Sequence, residues 1–161
     1  MRIGVISDTH IPLKAEHVPA AALDAFKQVD MVVHAGDMIE LSAINELREV
    51  CQNVVAVCGN MDPEKIAKKF PVKNIFQVCG FKIAVMHGYG APVDLIKVLK
   101  DAFKNDHPNI IIFGHSHQPM NEIIDGVLFF NPGSATDQST GCTSYGILDI
   151  DKEIDAKIIK I

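Results

Sequence analysis

The segment IIIFGHSH, residues 110–117, decides the fold. Its four leading apolar residues predict a strand that is covered on both faces, and Gly114 then releases the chain into a turn at the carboxyl end of that strand. In open α/β sheets, ligands bind at this end. On a tight turn the imidazoles of His115 and His117 can converge, which indicates a metal site. A His-x-His pair is by itself a weak signal, so the other strands must supply matching ligands.

Two earlier strands end in the same way. The apolar run over residues 2–7 leads to Asp8 and His10, and a second apolar run leads through a glycine to Asp37. A helical pattern over residues 19–29 separates the two runs, and this β-α-β spacing predicts parallel strands. The carboxyl ends of parallel strands share one edge of a sheet, so these side chains are expected to lie together.

Further polar residues follow the next strands. Asn60 comes after a glycine at the end of a fourth strand, and His87 ends a later one, although an asparagine there is by itself more typical of a turn. Asp62 with the following proline indicates a helix N-cap and first helical residue, which would explain Asp62 without a catalytic role. His34 lies inside its strand, which favours a core or ligand-supporting histidine over a direct ligand.

The first half of the chain is rich in predicted helices, and the second half is rich in predicted strands. A helix is predicted over residues 41–50, with Ser42 as a candidate cap, and the clearest helix is predicted over residues 92–104. The other predicted strands form three hairpins: residues 74–79 with 82–87 around Gly80-Phe81, residues 121–125 with 127–130 around Asp125-Gly126, and residues 143–150 with 154–160.

The composition narrows the functional classes. A chain of 161 residues with 48% hydrophobic residues fits one domain over residues 1–161. A net charge of -5 argues against nucleic acid as the main partner.

No apolar segment reaches membrane-spanning length and no secretory signal pattern is present, so a cytoplasmic protein with no membrane partner is expected. The four cysteines lack metal-binding spacing and are interpreted as reduced thiols. Exposed strands near the C-terminus could support a homo-oligomer.

Together the strand ends carry carboxylates, imidazoles and one amide, without a thiolate. This mixed ligand set suits Mn, Fe, Co, Ni or Zn. Seven ligands are too many for one ion, so two ions that share a bridging carboxylate are predicted. Two metals about 3.5–4 Å apart can stabilise both the attacking and the leaving oxygen of a phosphoryl displacement. The seven candidates are Asp8, His10, Asp37, Asn60, His87, His115 and His117.

These motifs resemble the calcineurin-like metallophosphoesterases, whose ordered pattern D-x-H, G-D, G-N, H and G-H-x-H is matched throughout. The short length, HAGD at residues 34–37 and NPGSAT at residues 131–136 are similar to a small phosphodiesterase branch found in bacteria and archaea. The resemblance implies an α/β fold of two mixed β-sheets packed as a sandwich and flanked by helices.

The resemblance also implies roles for the site residues. It places Asp37, Asn60 and His87 in catalysis, with attack by a metal-bridging hydroxide and no protein nucleophile. Gly88, Gly133 and Ser134 could bind phosphate, although a turn role competes for each. The implied cofactors are two divalent ions, with Mn²⁺ favoured and Ni²⁺, Fe²⁺, Co²⁺ or Zn²⁺ as alternatives. The implied first site is Asp8, His10, Asp37 and His117, and the second is Asp37, Asn60, His87 and His115.

One position departs from the family pattern. Many members have a histidine directly after the asparagine, and this chain has Met61, which cannot donate a proton. A positioned general acid contributes roughly 10² to 10⁴ in rate, so diesters with good leaving groups are expected and monoesterase activity is doubtful.

Three functions follow from these observations. The leading one is a phosphodiesterase that hydrolyses a small-molecule or nucleotide-like phosphodiester. The alternative is a protein-binding scaffold like the retromer subunit of this fold, which has a similar NPGSAT segment but altered metal ligands. A nuclease is the third, and the acidic balance counts against it.

Overall fold

The computed structural model describes all 161 residues and contains ten strands, four α-helices and two short 3₁₀-helices (Pro92–Asp94 and Gln138–Thr140). In chain order the elements are β1 (Arg2–Ile6), α1 (Ala20–Phe26), β2 (Met31–His34), α2 (Leu41–Val50), β3 (Val54–Ala56), α3 (Glu64–Ala67), β4 (Lys73–Val78), β5 (Phe81–Met86), α4 (Leu95–Ala102), β6 (Ile110–Ile112), β7 (Met120–Ile124), β8 (Val127–Asn131), β9 (Ser144–Ile150) and β10 (Ile154–Lys160).

The strands form two mixed five-stranded sheets. The first has the order β10-β9-β1-β2-β3, in which β1, β2 and β3 are parallel and β9 and β10 are antiparallel additions. The second has the order β4-β5-β6-β8-β7, in which β5, β6 and β8 are parallel and the two edge strands are antiparallel. The predicted α/β fold of two mixed sheets with flanking helices is confirmed.

The core lies in three apolar layers, and β6 shows how one strand serves two of them. Ile110 and Ile112 face the first sheet, while Ile111 and Phe113 pack on the α4 side. All four are buried, which confirms the prediction of a strand covered on both faces. On the outer face of the first sheet, α1 and α2 cover β1 and β2. No helix combines the length and the apolar character needed to cross a bilayer.

Two local predictions were wrong. Ser42 does not cap α2: Glu40 occupies the cap position without a side-chain bond, and the buried Ser42 hydroxyl has no hydrogen-bond partner. The first hairpin turns at Cys79-Gly80 rather than at Gly80-Phe81. Both turn residues have positive φ (49° and 86°), as a two-residue turn that matches the strand twist requires, and Phe81 is the first residue of β5.

Candidate metal centre

Five parallel strands, three from one sheet and two from the other, deliver all seven predicted ligands to one end of the sandwich. The ligands of the first sheet are Asp8 and His10 after β1, Asp37 after β2 and Asn60 after β3; those of the second are His87 after β5 and His115 and His117 after β6. Asp8 and His87 lie buried beneath the site, whereas Asn60, His115 and His117 line an open cleft.

The buried part of the site is centred on two carboxylate oxygens. Asp8 Oδ1 lies 3.2 Å from His117 Nε2 and 3.7 Å from the Nε2 atoms of both His10 and His87. Asp37 Oδ2 lies 3.2 Å from His87 Nε2 and 3.9 Å from His10 Nε2. The Nε2 atoms of His10 and His117 are 3.1 Å apart. These atoms form two triads, Asp8 with His10 and His117 and Asp8 with Asp37 and His87.

This arrangement leaves polar atoms that the protein does not satisfy. Asp8 Oδ1 and His87 Nε2 are buried and have no hydrogen-bond partner. Such atoms are costly to bury unless something binds them. Separations near 3 Å between ligand atoms are also typical of atoms that share one cation at about 2.0–2.2 Å. The donor set therefore fits divalent metal ions.

Asn60 and His115 form a second, more exposed pair. His115 Nε2 donates to the carbonyl of Gly90 at 2.8 Å, which leaves Nδ1 with its lone pair. That Nδ1 atom lies 2.8 Å from Asn60 Oδ1, another lone-pair donor. Two such atoms at this separation again suit a shared cation.

In Asp8 and Asp37, the carboxylate oxygen that does not face the site accepts hydrogen bonds, and these bonds fix the orientation of the carboxylate. Asp8 Oδ2 accepts from the Ser7 hydroxyl at 2.6 Å and from the backbone N–H of His115 at 3.1 Å. Asp37 Oδ1 accepts from the backbone N–H of Met61 at 2.8 Å. Each carboxylate is thus held by one oxygen and presents the other to the site.

The imidazoles are oriented in the same way. His87 Nδ1 donates to the carbonyl of Ala35 at 2.8 Å, and His117 Nδ1 donates to Asp137 Oδ2 at 3.1 Å. Both bonds select the tautomer whose Nε2 lone pair points into the site. No sequence pattern identified Asp137, although it directly follows the NPGSAT segment.

The charged groups of the site shift one another's pKa. Burial would raise the pKa of Asp8, but the facing imidazoles of His10 and His117 and the charge of His87 hold it well below its usual range. Burial would lower the pKa of His87, but Asp37 and Asp8 outweigh it and raise the value to about 9. Asp8 is therefore ready to ligate as a carboxylate, and any proton on His87 Nε2 has to leave before that atom can bind a metal ion.

Two glycines of the motifs permit close approach to the carboxylates. A Cβ on Gly114 would overlap the Ser7 hydroxyl and the Asp8 carboxylate, and one on Gly59 would overlap Asp37 Oδ1. The G-H and G-N motifs therefore need glycine because the carboxylates occupy the space of a side chain.

The turns that carry the ligands have an unusual backbone. Of the nine non-glycine residues with positive φ, five are predicted ligands: Asp8 (53°), His10 (43°), Asp37 (56°), His115 (68°) and His117 (57°). This left-handed conformation costs roughly 1–2 kcal/mol for each non-glycine residue. It bends the G-H-S-H turn so that His115 and His117 both face the site.

His34 has the predicted supporting role. Its Nδ1 accepts from the backbone N–H of Gly36 at 3.2 Å, so Nε2 carries the proton and donates to Thr9 Oγ1 at 3.0 Å. Complete burial lowers the pKa of His34 to about 4. The ring thereby ties the turn after β1 to the turn after β2.

Asp62 is not the helix cap that the sequence indicates. Pro63 occupies the cap position of α3 without a side-chain bond. The Asp62 carboxylate turns back and accepts three backbone N–H groups, from Asp37 (3.0 Å), Ile39 (2.7 Å) and Gly59 (2.8 Å). Burial raises the pKa of this carboxyl despite those bonds. Asp62 therefore holds the turns that present Asp37 and Asn60.

Of the three predicted phosphate contacts, Gly133 and Ser134 have their hydrogen-bond donors engaged inside the protein, whereas Gly88 lines a cavity. The Ser134 hydroxyl donates to the carbonyl of Asp8 at 2.8 Å, and the N–H of Gly133 donates to Asn131 Oδ1 at 2.8 Å. Both donors are engaged inside the protein, which favours their turn role over contact with a phosphate. Gly88 instead lines a cavity next to the site.

Two adjoining cavities open at the strand ends. The cleft of about 280 Å³ is lined by five of the predicted ligands together with Leu13, Lys14 and Met61. A side cavity of about 220 Å³ adjoins it at Asn60 and has an apolar wall that includes Val72 and Tyr89.

Comparisons with known proteins agree with this geometry. The family model described as the calcineurin-like phosphoesterase superfamily domain matches residues 1–153. A probable metallophosphoesterase of Methanothermobacter thermautotrophicus is 36% identical over 161 residues, which cover 99% of this chain and 92% of that protein.

Solved structures share the fold over the whole chain. The structure described as a novel archaeal phosphodiesterase superposes with a TM-score of 0.82 at 29% identity and covers 100% of both chains. Vps29 from Chaetomium thermophilum superposes with a TM-score of 0.83, covering 100% of this chain and 97% of its own. Its identity is 19%, so this second likeness is one of fold.

Proposed function

The chain belongs to the calcineurin-like phosphoesterase superfamily, and we propose that it is a metal-dependent phosphodiesterase that hydrolyses a small or nucleotide-like phosphodiester. The observation that carries the proposal is the convergence of imidazole nitrogens on Asp8 Oδ1 and Asp37 Oδ2. Asp8 Oδ1 and His87 Nε2 are buried there without a partner.

Two divalent ions are proposed, with Mn²⁺ as the favoured metal. Asp37 would be the shared ligand, as the family pattern implies, and its carboxylate faces His10 as well as His87. Asp8 faces the same two rings, so the choice of Asp37 rests on the family pattern. Bound ions would supply Lewis acidity that activates water and neutralises phosphoryl oxygens. The first ion would be held by Asp8, His10, Asp37 and His117, and the second by Asp37, Asn60, His87 and His115.

The chain's own residues orient the reaction. The bonds from Ser7 to Asp8 and from Met61 to Asp37 fix the carboxylates before substrate arrives. The bond from His87 to the Ala35 carbonyl keeps Nε2 unprotonated once a proton has been released. Such preorganised ligands need no rearrangement as charge develops on the phosphoryl group.

The shape of the site supports a diester substrate. Met61 lines the cleft, is about half exposed and has no proton to donate, which favours esters with good leaving groups. The side cavity next to Asn60 has Val72, Met86 and Tyr89 in its lining. This apolar wall suits an aromatic substituent on the phosphate, as in a nucleotide-like diester.

The test uses metal-stripped protein reconstituted with Mn²⁺. Hydrolysis of bis(p-nitrophenyl) phosphate is compared with that of p-nitrophenyl phosphate, for the wild type and for Asp37→Asn. Diester cleavage that needs metal and is lost in Asp37→Asn is expected, with little monoester cleavage. Asp24→Asn is the control, because Asp24 is exposed on α1 and pairs only with Lys27. Metal-independent cleavage, or full activity of Asp37→Asn, contradicts the proposal.

The scaffold alternative has its own supporting observation. A cleft of about 580 Å³ lies at the opposite end of the second sheet, where β5, β6 and β8 begin. Its lining includes Phe81, Ile154 and Ile123, and Ile123 is 75% exposed. Asn109, Asn121 and Asp155 also line it, and an exposed, partly apolar cleft away from the metal site suits a protein partner. If metal-loaded protein cleaves neither substrate, the scaffold becomes the leading function.

Proposals on other partners and on the location rest on the sheet edges, the net charge and the cysteines. The edge strands β7 and β10 could support a homo-oligomer. The net charge of -5 argues against nucleic acid. All four cysteines are free, which supports a reducing, cytoplasmic location.

A further inference from the structure

We propose that Lys14 donates a hydrogen bond to the leaving-group oxygen of the substrate, in place of the donor that Met61 lacks. This inference rests on the proposed phosphodiesterase function. It assigns a substrate contact to a residue that neither a motif nor the ligand set identifies.

The first ground is the lining of the cleft. Eight residues line it, and five of these are predicted metal ligands. The other three are Leu13, Lys14 and Met61. Leucine and methionine side chains have no hydrogen-bond donor, so Lys14 is the one residue of the lining that is not a ligand and can donate to a substrate.

The second ground is the position of the ammonium group. Lys14 Nζ lies 3.3 Å from Asp137 Oδ2, the same oxygen that accepts from His117 Nδ1 at 3.1 Å. The ammonium is thus linked to a predicted ligand ring through one ion pair and one hydrogen bond. The Lys14 backbone N–H also donates to the His10 carbonyl at 2.9 Å, which fixes the residue to a ligand-bearing turn.

The third ground is exposure. The Lys14 side chain is 50% exposed, while that of Asp137 is 12% exposed. The ammonium can therefore keep its bond to the fixed carboxylate and still present its remaining N–H bonds to the cleft, because a lysine has three.

The proposed step is balanced without another reactant. The oxygen of water bonds to phosphorus, and the ester P–O bond breaks with its electron pair going to the leaving oxygen. Lys14 stays protonated and stabilises that oxygen by a hydrogen bond. The water loses a proton to solvent, and the leaving oxygen takes one from solvent.

The test separates leaving-group stabilisation from other roles. Lys14→Met and Lys14→Arg are assayed as Mn²⁺-loaded enzymes on methyl p-nitrophenyl phosphate and methyl phenyl phosphate. Phenolate is the stronger base and needs more stabilisation. In Lys14→Met, kcat for the phenyl ester should fall about 100-fold, as for other lost donors. The p-nitrophenyl ester should lose only a few-fold, and Lys14→Arg should recover most of the phenyl ester rate.

Lys27→Met is the matched control, because Lys27 pairs with Asp24 on an exposed helix face. Bound manganese should be the same in all variants. A readout without turnover is acylation of the lysine amines followed by mass spectrometry. Saturating dimethyl phosphate should protect Lys14 and leave Lys27 unprotected.

The outcomes distinguish the two proposals. Equal losses for both esters, an unchanged phenyl ester rate, loss of manganese in Lys14→Met, or no protection of Lys14 would each overturn the role of Lys14. If the wild type cleaves neither ester with any divalent metal, the phosphodiesterase function itself fails.

Discussion

Replacing Asp62 with alanine should destabilise the protein and weaken the metal centre together. The carboxylate accepts three backbone N–H groups, and no other side chain takes its place in those bonds. One of them holds Ile39, a β-branched residue at φ 68° that is unfavourable without support. The change therefore loosens the turn that presents Asp37.

The expected size follows from the number of bonds. A hydrogen bond to a charged group contributes about 1.5–3 kcal/mol net, so three to a fully buried carboxylate would sum to at least about 4.5 kcal/mol. Because Asp62 is only half-buried, water can reach part of the gap, and a loss of about 2 kcal/mol in the free energy of unfolding is expected. Asp62→Asn retains acceptor capacity and should lose less.

Urea denaturation of the metal-free protein measures this loss in the free energy of unfolding, provided that the slope of that free energy against urea concentration is the same in the variant and the wild type. Equilibrium dialysis should show Mn²⁺ affinity weakened by about 10- to 100-fold, as for other residues that orient ligands. Asp24→Ala, at an exposed surface pair, should change the free energy of unfolding by less than about 0.5 kcal/mol. If Asp62→Ala is no less stable than this control, Asp62 does not hold the turns.

Three further changes should have separate effects. His34 has a folded-state pKa of about 4, below the ordinary value of about 6.5, so as the pH falls the unfolded chain binds a proton before the folded protein does. The free energy of unfolding should therefore fall by about 3 kcal/mol between a pH above 6.5 and a pH below 4. Urea denaturation across that range should show a smaller fall for His34→Gln, and an equal fall contradicts the assignment. Asp137→Ala should weaken Mn²⁺ binding about 10- to 100-fold in dialysis because His117 loses its orienting acceptor, and unchanged affinity refutes this role. Tyr89→Ala should raise KM about tenfold for a nucleotide-like diester, because the aromatic substituent loses its ring contact, but should not change inhibition by dimethyl phosphate, which has no ring. Equal changes for both ligands would contradict a contact between Tyr89 and the aromatic substituent.

The sequence predicted what depends on local pattern. The helix of residues 41–50 has the predicted bounds because its apolar spacing is regular. The strand ends were predicted because each apolar run stops at glycine or a polar residue, and parallel pairing of β1 with β2 brings two such ends to one edge.

The parts that could not be predicted depend on tertiary contacts. Asp62 before proline has the local pattern of a cap, and only the packing of β2 against β3 directs it to the N–H of Asp37. Asp137 is 20 residues from His117 in sequence, and only the fold pairs them. The one sequence signal for a role of Asp62 and Asp137 at the site was that each lies close to a motif, Asp62 to G-N and Asp137 to NPGSAT.

The left-handed backbone conformation at five predicted ligands lowers the stability of the fold but directs the ligand side chains into the site. Glycine would relieve roughly 1–2 kcal/mol at each of these positions, yet it would remove the ligand. At Asp8 and Asp37 glycine would also remove hydrogen bonds that hold the turns. A library of this chain screened only for heat resistance should therefore enrich glycine first at the two histidines of the G-H-S-H turn. The native residues at these turns are those of a protein adapted to what it binds rather than to maximal stability.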